Sequence, residues 1–211
     1  MPNLILKKVI FSTIIFLSYS YIAGQSEVAI VPDKIKVGDV APLWVLPTEP
    51  DKQNLNKVEF LHNWAEKNGS NLLNPKINSN RHVVVMSFSA SWCPPCKKEL
   101  PILNNIYNDY TGKEVKFFII DITEATRDSD KEMFKNAPKI KDFLNELGVD
   151  IPVLYDIRGK VKENYGLTGI PTLYVIDKYR IIRMMKIGWD DETKDEYVLD
   201  IKSLLNKLLK E

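Results

Sequence analysis

Cys93 and Cys96 are the only two cysteines among the 211 residues, and they stand three apart in Ser91-Trp92-Cys93-Pro94-Pro95-Cys96. Thiols at that spacing can close a short disulfide ring or supply half of a metal site. Their setting points to the first. The Val-rich run His82–Ala90 precedes them and reads as a buried central strand. Cys93–Thr111 follows as a helix with Leu100, Leu103, Ile106, Tyr107 and Tyr110 on one face. A cysteine in the first helical turn meets unpaired N–H groups and the positive end of the macrodipole, both of which favour thiolate over thiol. The thiolate is the nucleophile of disulfide exchange. Pro94 and Pro95 lose nothing in a first turn, where their missing N–H groups would be unpaired anyway, and they stiffen the link between the sulfurs. The expected chemistry has Cys93 attack a substrate disulfide and Cys96 resolve the mixed disulfide that forms.

Two other uses of the pair stay open at the level of residues. A zinc or copper site needs further ligands, and the two histidines, His62 and His82, both lie upstream, His82 at the far end of its strand. A purely structural disulfide gains little from so short a loop. Dithiol chemistry itself calls for no cofactor, and no metal is expected.

The elements that must position the pair are those of one globular domain. Hydrophobic residues make up 45% and charged residues 27%, so the chain is neither disordered nor a multi-span membrane protein. Lys+Arg 29 against Asp+Glu 28 leaves no basic footprint for nucleic acid. Residues 1–24 stand apart: Lys7 and Lys8 precede the uncharged run Val9–Ala23, which ends in small residues. That layout predicts a secretory signal peptide or, uncleaved, an N-terminal membrane anchor. No cysteine follows the run, so a lipoprotein is excluded. Export would place the domain where a dithiol needs a dedicated reductant.

Residues 25–37 read as an extended lead-in to VGDVAP (37–42) and LWVL (43–46), and Pro47–Asn56 as a polar stretch. Phe60, Leu61 and Trp64 suggest a short helix over Val58–Lys67, and Asn68–Asn80 reads as loop. Val115–Ile122 is a second buried strand, Thr123–Asp130 a polar connection, and Lys131–Leu147 a helix broken near Pro138. A short strand at Pro152–Asp156, a short helix at Lys160–Tyr165 and a strand at Thr172–Asp177 follow. Ile181–Ile187 completes a hairpin, and a helix from about Thr193 to Lys210 closes the chain, with Val198, Ile201, Leu204, Leu205 and Leu208 as its apolar residues. Strands alternating with helices predict a three-layer α/β domain.

Trp92-Cys93-Pro94-Pro95-Cys96 resembles the active site of the thioredoxin superfamily, and Tyr165-Gly166-Leu167-Thr168-Gly169-Ile170-Pro171-Thr172 is similar to its cis-proline segment. Gly188 after the last strand also fits. The export signal, VGDVAP and Cys96-Lys97-Lys98-Glu99-Leu100-Pro101 are closer to the extracytoplasmic TlpA/ResA-like branch of thiol–disulfide oxidoreductases, several of which serve cytochrome c maturation.

The resemblance implies a thioredoxin-like α/β/α sandwich with a mixed central sheet, an N-terminal extension (25–81) and a central helical insertion, residues 82–211 forming the thioredoxin-like domain. It implies a cis bond at Ile170-Pro171 beside Cys93. The Ile170 backbone would then pair with an extended substrate segment, and Trp92, Pro95, Ile170 and Pro171 form the substrate surface.

Where thioredoxins keep a buried acid on the strand, this chain has Ser87, so the resemblance makes Glu99, or a water held by Ser87, the candidate proton handler. A solvated Glu99, a plain core role for Trp92 and a trans Pro171 in an ordinary turn are the bland readings. Lys97 and Lys98 are either positive neighbours of Cys93 or solvated lysines. The implied partners are disulfide-bearing proteins and a membrane electron donor. Reduction of protein disulfides is the expected direction; an oxidase or isomerase, and a copper chaperone, are the rivals. Residues 47–81 lack the branch's familiar hairpin wording, and residues 123–150 are longer than usual there.

Overall fold

A computed structural model of the protein describes residues 35–50, 57–73, 75 and 79–211. The expected signal or anchor, and most of the lead-in over 25–37, lie outside the described residues. Five strands form the central sheet: β3 (Val83–Ser89), β4 (Val115–Asp121), β5 (Val153–Tyr155), β6 (Thr172–Ile176) and β7 (Ile182–Ile187), in the order β5-β4-β3-β6-β7. β3, β4 and β5 run parallel, while β6 is antiparallel to both β3 and β7. All seven residues of β3 and all five of β6 are buried, which accounts for their unbroken apolar sequences. Edge strand β7 is half-buried along most of its length.

Alternation along β3 separates two layers. On one face α1 (Pro94–Asp109) and α6 (Lys194–Leu208) pack together, and the Tyr110 hydroxyl donates to Asn206 Oδ1 at 2.9 Å. α4 (Ile140–Leu147) lies beside α1, where buried Asn104 bonds both Gly148 O and Asp150 N. Gly148 closes α4 at φ 63°, a left-handed cap that glycine takes without steric cost. On the opposite face Phe88 meets Tyr165 and Tyr174, and Trp44 stands edge-on to Phe118 at 5.8 Å. Tyr165, just after α5 (Lys160–Asn164), donates to Pro42 O at 2.8 Å and ties the lead-in to this face. The mixed-sheet α/β architecture agrees with the expectation.

The structure corrects one local expectation. Val58–Lys67 is not a helix. Val58–Phe60 is β2, followed by a single 3-10 turn at Leu61–Asn63. β2 pairs antiparallel with β1 (Val45–Pro47), so this region carries a hairpin that its wording did not announce. Leu61 and Ala65 enter the core beside Trp44 and Leu46, which makes the N-terminal extension part of that core. The polar stretch after β4 opens with a one-turn helix, α2 (Thr123–Thr126). α3 (Glu132–Lys135) precedes the break around Pro138, and α4 follows it.

Strand register brings four connections to one end of the sheet. β3, β4 and β5 finish there; Thr172 at the start of β6 pairs with Phe88, and Ile187 at the end of β7 pairs with Thr172. The segments holding Cys93, Thr123, Pro171 and Gly188 therefore all leave the sheet at its dithiol end.

Candidate active site

After β3 the chain turns through Ala90–Trp92, with Cys93 N donating to Ala90 O at 3.1 Å, and enters α1. Cys93 is the N-cap: its φ and ψ are −96° and 104°, and its sulfur accepts from Cys96 N at 3.2 Å. Pro94 and Pro95 fill the first helical positions, where no N–H is needed. Cys93 and Cys96 are joined as a disulfide and are both buried. A sulfur that receives a backbone N–H at the positive end of a 16-residue helix sits in a field that favours its thiolate once the bond is broken.

The insertion after β4 holds the loop ahead of Cys93. Ser91 N donates to Thr123 Oγ1 at 3.0 Å and Ser91 Oγ to Pro138 O at 2.6 Å. Trp92 Nε1 donates to Thr126 Oγ1 at 2.8 Å, and its ring meets that of Phe134 at a tilt, with centroids 4.4 Å apart. Trp92 therefore belongs to a joint between the site loop and the pair α2–α3. Beneath it, Thr123 bonds Asp121 Oδ1 through both N and Oγ1. Burial pushes the Asp121 carboxyl up to about 6 against the pull of those two donors.

Ile170-Pro171 is a cis peptide, as the resemblance implied. Pro171 O accepts from Gly188 N at 2.8 Å, and Thr172 Oγ1 donates to Gly169 O at 2.7 Å. Gly188 has φ 80°, a conformation that a side chain would strain. Pro171 is buried, whereas Ile170 and Pro95 are partly exposed.

Glu99 is not a solvated helix residue. It is 1% exposed, three residues beyond Cys96 on α1, and faces the central strand. Ser87 Oγ donates to its Oε2 at 2.8 Å and the Tyr197 hydroxyl to its Oε1 at 2.8 Å. Burial raises the carboxyl to about 7, and the two hydroxyls hold it back from rising further. The same burial, with Glu99 adjacent, pushes the Tyr197 phenol well up. Lys98 is ion-paired with Asp191, which offsets its charge, and Lys97 is exposed. Among the described residues no group of three or more His, Cys, Asp or Glu side chains is arranged to hold a metal ion.

Sequence reasoning missed Tyr197, Thr126 and Phe134. Tyr197 precedes Ile201, Leu205 and Leu208 on the buried stripe of α6, so its helical spacing was a usable signal for burial. Nothing local marks Thr126 or Phe134, whose roles arise where a separate segment meets Trp92.

A family model described as Redoxin matches residues 46–201. The chain is 31% identical over 113 residues to the thiol-disulfide oxidoreductase ResA of Bacillus thuringiensis (strain Al Hakam), which covers 54% of this chain and 58% of the relative. It is 28% identical over 104 residues to the sporulation thiol-disulfide oxidoreductase A of Bacillus subtilis (strain 168), covering 49% and 58%. The chain thus spans under two thirds of the length of these curated relatives.

Two solved structures share the fold. One is a Chlorobium tepidum protein assigned as a thiol:disulfide interchange protein DsbE, at TM-score 0.59 and 22% identity, covering 82% of this chain and 99% of the other. The other, from Bacteroides thetaiotaomicron and assigned as a protein disulfide isomerase, has TM-score 0.57 and 22% identity, covering 84% and 92%.

Proposed function

The chain belongs to the Redoxin family, and from that premise we propose that it is a thiol–disulfide oxidoreductase that reduces protein disulfides outside the cytosol. The observation that carries this reading is the dithiol pair capping α1 at the sheet end where cis Pro171 begins β6. An attacking thiolate needs positive potential and a resolving thiol within bonding reach. Cys93 has both, through the Cys96 N–H and the Cys96 sulfur. Partly exposed Ile170 offers backbone to an extended substrate segment, as in strand addition. Trp92 and Pro95, also partly exposed, flank that approach.

In the reductive direction the Cys93 thiolate attacks one substrate sulfur, and the substrate's other sulfur leaves as thiolate and takes up a proton. Cys96 then gives its proton to Glu99 and attacks Cys93, releasing the second substrate thiol and closing Cys93–Cys96. Two electrons move to the substrate, and a membrane electron donor must return them to the oxidised pair. With residues 1–24 read as a signal or anchor and 82–211 as the thioredoxin-like domain, the protein acts in the periplasm or cell envelope. Cytochrome c maturation is one envelope process that uses such a reductant.

Resolution by Cys96 makes a direct test. A Cys96→Ser variant is expected to accumulate mixed disulfides with envelope proteins, visible as thiol-sensitive adducts on non-reducing gels, while Cys93→Ser gives none. Adducts that persist in Cys93→Ser and vanish in Cys96→Ser would reverse the two roles. Absence from both would remove the exchange reading.

A further inference from the structure

The Glu99 carboxyl lies between two hydroxyls drawn from different layers of the fold. Ser87 reaches it from the central strand β3 and Tyr197 from α6, each at 2.8 Å. Burial and these two hydroxyls govern its proton affinity; no ammonium, guanidinium or imidazole among the described residues contributes. On its own helix Cys96 stands one turn earlier.

The Tyr197 ring meets Trp189 edge-on at 5.1 Å, and the Lys186 ammonium, paired with Asp200 at 2.8 Å, lies 5.9 Å from the ring centre. Tyr197, Trp189, Gly188 and Lys186 line a cleft of about 380 Å³ between the end of β7 and the start of α6, with the exposed acids Asp190 and Glu196 also in its lining. Gly188 binds Pro171 O, so the cleft adjoins the cis-proline loop. The Tyr197 phenol thus stands between a buried carboxyl and an open cleft at the dithiol end of the sheet.

We propose that Tyr197 is a positioning residue for dithiol exchange: by donating its hydroxyl to Glu99 it keeps the carboxylate form ready to take the proton of the resolving thiol. The inference rests on the reading of Cys93–Cys96 as an exchange dithiol with Glu99 as its proton acceptor. In the mixed disulfide, Cys96 Sγ–H passes its proton to Glu99, and the freed thiolate attacks the Cys93 sulfur. The Cys93–Cys96 bond forms, the mixed S–S bond breaks, and the electron pair leaves on the departing thiolate. Tyr197 transfers no atom. Its hydrogen bond favours the charged carboxylate over the neutral acid and so sets the pH at which the acceptor is available. Without that donor Glu99 keeps one hydroxyl, from Ser87, as its hydrogen-bond donor among the described side chains.

The test mixes the reduced full chain with dithiobis(nitrobenzoate). Attack by Cys93 releases one thionitrobenzoate, and resolution by Cys96 releases the second. The rate of the second release is followed across pH. Tyr197→Phe keeps the ring against Trp189 and removes the donor. Its midpoint is expected to rise by about one to two pH units, the worth of one hydrogen bond to a charged group. Below the native midpoint the second release then slows by about ten- to a hundredfold while the first is unchanged.

A ring-fluorinated tyrosine at position 197 is a stronger donor and is expected to lower the midpoint, which keeps the question open to measurement if the Phe variant does not fold. Glu99→Gln is expected to abolish the ionisation. If Glu99→Gln abolishes it while neither change at Tyr197 moves the midpoint, the role of Tyr197 is overturned and that of Glu99 stands. If the midpoint survives in Glu99→Gln, both are overturned.

Discussion

At the scale of single residues, burial sets the proton affinity of the carboxyl on the dithiol helix. Glu99 moves from 4.5 to about 7 on folding. A carboxyl raised in this way binds its proton more tightly in the folded state. Its stabilising contribution is complete below about pH 4.5 and is lost as the pH rises through about 7. Replacing Glu99 with Gln removes this dependence. The stability of the native protein relative to Glu99→Gln is therefore expected to fall, on the order of 3 kcal/mol, from about pH 4.5 to about pH 8. Urea unfolding of both proteins across that range checks it; a difference that stays flat would mean the carboxyl is not held neutral by burial.

The Cys93–Cys96 pair was legible because the strand, the two prolines and the helix that frame it are contiguous in sequence, whereas Glu99 was singled out only through the resemblance and its burial was not foreseen. The hydroxyl that completes the Glu99 site was not legible. Tyr197 lies on the last helix, and only the packing of α6 against α1 brings it to Glu99.

At the scale of elements, the segment between β4 and β5 supports the site loop. Arg127 ties it together, bonding Glu124 Oε1, Lys135 O and Ala137 O, and the assembled turn offers Thr126 and Phe134 to Trp92. Phe134→Ala removes the aromatic partner of Trp92, and Thr126→Val removes both the acceptor for Trp92 Nε1 and the donor to Thr123 O, expected to cost about 1 and about 1–3 kcal/mol in urea unfolding. Both are expected to slow reduction of a protein disulfide by loosening the residue next to Cys93. Unchanged kcat/KM in both variants would make the joint a matter of stability alone.

The insertion was visible in sequence as extra length with helical character, yet its task was not, because polar residues such as Thr126 acquire a role only where they land. The β1–β2 hairpin escaped for a different reason. Phe60, Leu61 and Trp64 have helical spacing, but the core buries Leu61 from a one-turn helix after a strand, and a three-residue strand is too short to display alternation.

At the scale of the whole molecule, both faces of one mixed sheet are covered, and the N-terminal extension supplies part of the second cover. Trp44, Leu46, Leu61 and Ala65 are buried in the same core as β3 and β6. Loss of such side chains costs roughly 2–5 kcal/mol each for the large ones, against a total stability of roughly 5–15 kcal/mol. A chain truncated before Arg81 is therefore expected not to fold, and Leu61→Ala in the full chain to lose roughly 2–5 kcal/mol. Circular dichroism and urea unfolding read both outcomes. A folded truncation would make the extension an accessory.

The α/β class followed from the order of elements, and the meeting of four connections at one sheet end followed from register, which no local pattern states. That meeting is the basis of the central claim, that Cys93 and Cys96 form a reducing dithiol. Its most direct test is the equilibrium reduction potential of the pair, obtained by thiol trapping across dithiol redox buffers. The account predicts a value near the ~−270 mV of thioredoxin. A value near ~−120 mV, that of a strong disulfide donor, or no reversible couple at all, would contradict it.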